Sequence, residues 1–323
     1  MESENLMLTS NKFDLIIKYF GKLHSVYYFF VFLSSSYAAF DDQYIGARAY
    51  GMGNALTAIA NQADGILINP ASISNIIGQE LSATTALLHL GLTDQNSIRQ
   101  DLLAYANSVP QTGAIGFLWK QFNIESLYTE NYVVIGTSKN ILLDKENQKQ
   151  IAIGSSVKLL SWNTAPTIGS NGKIIEDLPR QTKFSFDLGI IIRPSPNTPI
   201  ALSIQNLNRP NIASNNSKVA ENLPIVTSLG IGILSENFAG EMDLVFRQHE
   251  VNVYLGIEHQ FDQGRFYLRG GLRLENLAWG TNLTSGVGYR PSNQVGIDYG
   301  LIFPIVGPQK TYGSHRVSVI YDF

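Results

Sequence analysis

Cysteine is absent from the 323-residue chain, which excludes disulfides, thiolate catalysis and cysteine-ligated metals. Charge is scarce: Asp, Glu, Lys and Arg together make 15% of the residues, against roughly a quarter in soluble domains. The formal net charge of −3 leaves no basic surface, so nucleic acid is not an expected partner. No apolar run reaches the roughly 20 residues that a membrane-crossing helix needs. Yet the chain is not polar, with a mean hydropathy of +0.01. What it has instead is 28 Gly, 15 Tyr and 16 Phe, a composition that suits many aromatic-rich strands.

The N-terminus reads as a secretory signal over residues 1–38. Lys12, Lys18 and Lys22 precede the apolar block Val26–Leu33, and small residues stand at Ser36 and Ala38. A basic region, a short apolar core and a small-x-small site define such a signal, with cleavage expected after Ala38 and Met7 as an alternative start. Residues 39–78 are expected to form a segment with a short helix, in which Gly51-Met52-Gly53 stands at the helix head. The glycines invite a phosphate-loop reading, which fails on context. A dinucleotide fingerprint needs a preceding strand, a third glycine and a βαβ unit, and a Walker loop needs Lys and Ser or Thr. Small residues here better serve close packing of backbone against a wall.

Residues 79–323 alternate with period two, the mark of strands with two different faces. Phe184, Phe186, Leu188, Ile190 and Ile192 share one face, with Ser185, Asp187 and Gly189 on the other. Counting such segments predicts about 14 antiparallel strands, an even number as in bacterial outer-membrane barrels. They fall at 79–90, 100–109, 112–121, 130–141, 150–162, 181–193, 198–207, 223–234, 239–248, 251–261, 264–274, 279–290, 293–303 and 312–323. Predicted periplasmic turns are short: Pro110-Gln111, Pro194–Asn197, Ser235–Phe238, Asp262-Gln263 and Pro291-Ser292, with Leu142–Lys149 longer. The longest loops, Asn163–Arg180 and Asn208–Asn222, fall on the opposite side. The fold class is therefore all-β, a transmembrane barrel in the bacterial outer membrane whose solvent is the lipid bilayer. Its last strand puts Val317, Val319, Tyr321 and Phe323 on one face. An ending of this kind resembles the signal read by the barrel-assembly machinery.

Opposite the lipid-facing residues fall Asp187, Asp243, Arg247, Glu258, Arg265, Arg269, Arg273, Glu275, Arg290, Asp298 and Arg316. They serve either a polar path or an ion-pair network that fills the barrel and holds the N-terminal segment, for instance through Arg48. The five histidines have no metal-ligand spacing, and no Gly-x-Ser-x-Gly elbow occurs. No catalytic residue, metal or cofactor is assigned, and an enzyme is not expected.

The stretch from Gly46 to Ala60, followed by Asp64 and Asn69-Pro70-Ala71, resembles the N-terminal signature of the FadL superfamily, most of all its PorV/PorQ branch. Phe186–Gly189, Gln205–Leu207, Leu223-Pro224, Leu268–Gly271, Asp298–Gly300 and His315-Arg316 extend the likeness along the mature chain. The resemblance implies a 14-stranded barrel whose N-terminal segment is a plug carrying Arg48, Gly51, Gly53, Asn69 and Pro70. Asn69-Pro70 would then be the turn into the first strand. Two functions follow from it: support of protein export or surface attachment in type IX secretion, with secreted proteins as partners, or passive transport of a small hydrophobic ligand.

Overall fold

The computed structural model describes Phe40 and residues 45–323, apart from 92–96, 110–111, 144–148, 169–173, 177–179, 215–216, 249, 276–279 and 307–310. The expected signal and its cleavage site, and the Pro110-Gln111 turn, lie outside the described residues. The chain from Asp42 to Phe323 forms one compact unit.

Among the described residues, one short helix, α1 (Ala47–Gly51), and 3₁₀ turns at Ala63–Leu67 and Pro70–Asn75 precede the strands. The strands are β1 (Gly78–Leu88), β2 (Ile98–Val109), β3 (Gly113–Ile124), β4 (Tyr128–Leu143), β5 (Lys149–Thr164), β6 (Thr167–Ile168), β7 (Ile174–Glu176), β8 (Gln181–Ser195) and β9 (Thr198–Gln205). They continue with β10 (Val226–Leu234), β11 (Phe238–Arg247), β12 (Glu250–Phe261), β13 (Phe266–Glu275), β14 (Gly280–Tyr289), β15 (Val295–Val306) and β16 (Ser314–Asp322). All but β6 and β7 form one closed antiparallel barrel of 14 strands, sealed where β1 pairs with β16 through Ala83 and Val319. Closure leaves no unpaired sheet edge, the condition for crossing a bilayer with strands. The small β6–β7 hairpin lies within the Asn163–Arg180 loop, where the sequence pattern predicted no strand.

Alternation decides which face each residue takes. Phe184, Leu188, Ile257, Leu268, Val287 and Val319 stand exposed on the outer wall, while Ser185, Asp187, Glu258, Arg269 and Ser318 are buried within. A closed barrel that is apolar outside and polar inside sits in the bacterial outer membrane. With an even strand number, the end holding Gly78 and Asp322 is periplasmic. Aromatics gather at that end: the Phe266 and Tyr289 rings stack with centroids 5.1 Å apart, and Tyr321 meets Phe323 edge-on at 4.8 Å. Such rings favour the membrane–water boundary.

The extracellular mouth is narrowed by the chain between β9 and β10. There Ile212, Ala213 and Leu223 are buried. Trp162 Nε1 donates to the Ile212 carbonyl at 2.9 Å, and Asn211 and Asn222 pair across the loop. Asn206, in the left-handed region at φ 57°, fixes the start of this strap. Its Oδ1 accepts from Lys158 Nζ and Ser185 Oγ, and its Nδ2 donates to the Pro224 carbonyl.

Candidate functional site

Residues 45–76 lie against the inner wall and are almost wholly buried. α1 meets β13 to β16, the first 3₁₀ turn meets β1 to β3, and the second meets β2 to β5 and β8. α1 ends at Gly51, so Gly51-Met52-Gly53 closes the helix rather than heading it. Gly53 has φ 64° and Asn54 φ 64°, a left-handed exit for which glycine is suited. Gly51 faces Gly286 on β14, where an added Cβ would stand 2.9 Å from the Gly286 Cα. Backbone meets backbone here, and there is no room for a phosphate.

Charges hold the first half. Arg48 makes a two-pronged contact with Glu258, Nη2 to Oε1 at 2.9 Å and Nε to Oε2 at 3.0 Å, while its Nη1 donates to Asn61 Oδ1. Glu258 also accepts from Arg269 Nε at 2.5 Å. Arg269 Nη1 continues to Asp298 Oδ1 at 2.8 Å, and Arg290 closes the row with two bonds to Asp298. The result is an alternating chain, Arg48–Glu258–Arg269–Asp298–Arg290, in which each buried carboxylate lies between two guanidinium groups. That alternation is what makes a buried ion network tolerable. Arg316 donates to the Ile45 carbonyl and to Gln100 Oε1, with its guanidinium 4.4 Å from the centre of the Tyr50 ring.

Two further carboxylates grip the backbone. Asp243 Oδ2 accepts from Leu56 N, Thr57 N and Thr57 Oγ1, and Glu241 accepts from Ala58 N and Ile59 N. Four consecutive amides thus end on two neighbouring acids of β11. Glu80 on β1 takes the Ala63 amide in the same manner. Asp64 accepts from Gly46 N at 2.8 Å. Burial pushes its carboxyl up to about 6, against the opposing pull of that hydrogen bond and of Arg48.

The second half is seated by fit and neutral hydrogen bonds. Asn69 caps the Pro70–Asn75 turn by accepting from Ala71 N at 3.0 Å, and its Nδ2 donates to the Thr57 carbonyl at 2.8 Å. Pro70 occupies the first position of that turn, where its missing amide costs nothing. Asn69-Pro70 therefore opens a 3₁₀ turn, and β1 follows it from Gly78. Ser203 and Gln205 donate to the Ile68 carbonyl, and Ser138 to that of Ala71. On the wall, Gly154 and Gly189 are register partners. A Cβ on Gly189 would sit 1.9 Å from Asn69 Oδ1, and one on Gly154 would sit 2.4 Å from Ala71 N.

The other inward charges form separate groups. Asp187 pairs with Lys158 at 2.8 Å and accepts from Asn206 N. Arg273 donates to Tyr254 Oη and Glu275 Oε1, its guanidinium 4.5 Å from the Tyr254 ring centre. Arg247 lies half-buried at the extracellular end of β11. Arg265, expected on the inner face, is exposed in the turn after Asp262 with its Nη1 3.6 Å from that carboxylate. The turn interrupts the alternation before β13 begins. Val319 and Tyr321 stand on the lipid face of β16, with Phe323 just beyond its end. Glu241 and Glu80 were not singled out from sequence, although the Glu241-x-Asp243 spacing on an inward face carried the signal.

Architecture and interior together define an outer-membrane β-barrel with a chain segment fixed inside it. The fold is that of FadL-type hydrocarbon transporters. Ralstonia pickettii toluene transporter TbuX is 14% identical with a TM-score of 0.63, covering 88% of this chain and 99% of that one. CymD, a monoaromatic hydrocarbon channel, is 16% identical with a TM-score of 0.65 over 88% and 99%. The P. putida toluene transporter TodX is 11% identical with a TM-score of 0.63 over 86% and 98%. These neighbours are transporters and channels, not enzymes. No protein-family model matches the chain, and no curated protein sequence matches it.

Proposed function

We propose that the protein is a passive outer-membrane conduit for small hydrophobic compounds, with residues 45–76 as its plug. The observation that carries this reading is the shared architecture with solved monoaromatic hydrocarbon channels across 88% of the chain. The interior supports it. Charged residues on β11 to β16 form the continuous row from Arg48 to Arg290, whereas β2 to β5 present Leu102, Ala104, Ala106, Leu118, Val134 and Leu160 inward together with the buried Lys120, Glu130 and Lys158. A ligand without charge would follow the apolar residues of that side, since crossing the arginine–carboxylate row would require desolvating it for nothing in return.

Support of protein export, in the manner of the PorV/PorQ branch, would call for an apolar docking face on the extracellular loops. In the described parts of Asn163–Arg180 and Asn208–Asn222, Ile174 and Val219 are the strongly exposed large apolar residues, one on each loop, and Ile212 is buried, so no contiguous apolar face is presented. The conduit reading is therefore preferred. Its test is uptake of radiolabelled toluene by cells lacking the protein and by complemented cells, with the surface proteome compared in parallel. Uptake is expected to fall in the deletion and recover on complementation, with the surface proteome unchanged. Unchanged uptake overturns the reading, and a depleted surface proteome would return secreted proteins as the cargo.

A further inference from the structure

The outer wall carries a groove of about 510 Å³ across β4, β5, β8 and β9. Its sides are Ile153, Leu188, Leu202 and Ile204. It exists because Thr137 and Ser155, both outward, are short where their neighbours are long. A second hollow of about 410 Å³ runs on from it past Ile135 and Val157, sharing Thr137, Ser155 and Leu188. The floor is the Gly154–Gly189 pair, so a single layer of backbone separates the groove from Asn69 and Ala71 inside.

Lys139 lines the same groove and is exposed on the outer face. Two other outward charges, Arg99 and Asp101, satisfy each other at the extracellular end of β2. Lys139 has no hydrogen bond or ion pair among the described residues. It stands between Thr137 and Ile141, four residues before the periplasmic end of β4. A lysine on a lipid-facing strand is costly unless its ammonium reaches the headgroup layer, which its long stem permits from this depth. An ionised group within a membrane face is a functional signal by default.

From this juxtaposition we infer that the groove is a binding site for a net-anionic phospholipid of the periplasmic leaflet. One acyl chain lies over Gly154 and Ser155 between the Ile and Leu walls, and the headgroup phosphate meets Lys139. The occupant is set by the solvent, because what an apolar groove on this face meets is lipid. The charge then selects among lipids. The site is independent of whether hydrocarbons pass through the barrel. It places an acyl chain directly outside the wall from the plug turn.

The test uses the full-length protein in phosphatidylcholine vesicles with spin-labelled phosphatidylglycerol or phosphatidylcholine, reading the immobilised fraction by electron paramagnetic resonance. Wild type is expected to prefer phosphatidylglycerol by about fivefold, the worth of one lysine near an anionic lipid surface. Lys139→Gln should abolish the preference and Lys139→Arg should keep it. Ser155→Leu, which fills the groove from outside, should lower the immobilised fraction of both lipids. Heat-modifiable gel mobility checks that each variant is folded. No headgroup preference in wild type, or an unchanged preference in Lys139→Gln, overturns the inference. So does an immobilised fraction that ignores Ser155→Leu.

Discussion

The two halves of the N-terminal segment are held inside the barrel by different physics. Residues 45–59 meet β10 to β16 through ionisable side chains: the Arg48–Glu258–Arg269–Asp298–Arg290 chain, Arg316, and the acids Glu241 and Asp243. Residues 63–76 meet β1 to β9 through close fit and mostly neutral partners such as Ser138, Ser203 and Gln205. Among the described residues, Glu80 and Arg193 are ionisable wall contacts of this half, and each meets an uncharged group, Ala63 N and Asn75 Oδ1. Electrostatic contacts in a low-dielectric interior are strong but fail as a unit when one member is lost. Fit is spread over many small contacts and yields locally. A segment built this way has a rigid anchor on one side and a side that can be shifted by changing shape alone.

Glu258→Ala should break the first half most severely. It leaves Arg48 and Arg269 buried without their shared carboxylate, a loss of about 3–5 kcal/mol for a broken buried pair. Because the chain has no cysteine, single introduced thiols report each half cleanly. Ala49→Cys lies in the first half, and Ser72→Cys in the second replaces a buried hydroxyl that has no hydrogen-bond partner among the described residues. Maleimide labelling should rise at position 49 in Glu258→Ala and stay slow at position 72. Equal rises at both would show that the segment moves as one body and dissolve the contrast.

Gly189→Val tests the other half without touching a charge. The added Cβ would stand 1.9 Å from Asn69 Oδ1, so the Asn69–Ala71 turn must shift, at a cost of about 1–3 kcal/mol for overpacking. Here labelling should rise at Ser72→Cys and remain slow at Ala49→Cys. The urea midpoint of unfolding from vesicles should fall less than in Glu258→Ala. A larger fall than in Glu258→Ala would mean that fit, not charge, dominates the anchoring.

Much of this contrast was legible in the sequence, and the unread part has physical reasons. Period-two alternation is imposed by the pleat, so strand number and the inward placement of Asp187, Glu258, Arg269 and Asp298 could be read directly. Which inward charges touch depends on register between strands: Glu258 pairs with Arg269 because those two residues are directly opposed. Nothing in the local pattern carries that offset. Glu241 and Glu80 escaped notice because their partners are backbone amides of a distant segment, which have no sequence signature. The helix polarity around Gly51 is the reverse of the expected one because glycine suits either end of a helix. Only the left-handed Gly53 and Asn54 decide for the end.

Asn69 is, with the Asp64–Gly46 bond, one of the places where the two halves meet, and it gives the smallest and most informative effect. Its Oδ1 caps the second half through Ala71 N, while its Nδ2 ties that half to the first through the Thr57 carbonyl. Asn69→Ala removes both and should cost about 1–2 kcal/mol, the scale of a lost cap and one buried hydrogen bond. Asn69→Asp keeps a cap acceptor but cannot donate to Thr57, and it sets an anion beside that carbonyl. If the tie matters, Asn69→Asp should raise labelling at position 49 as well as at 72, because the Asp64–Gly46 bond then restrains the halves without the help of Asn69. If only the cap matters, Asn69→Asp should label like wild type and Asn69→Ala should raise position 72 alone. The second pattern would mean that the charged half holds its place unaided, and that the hydrogen bond to Thr57 results from its position without securing it.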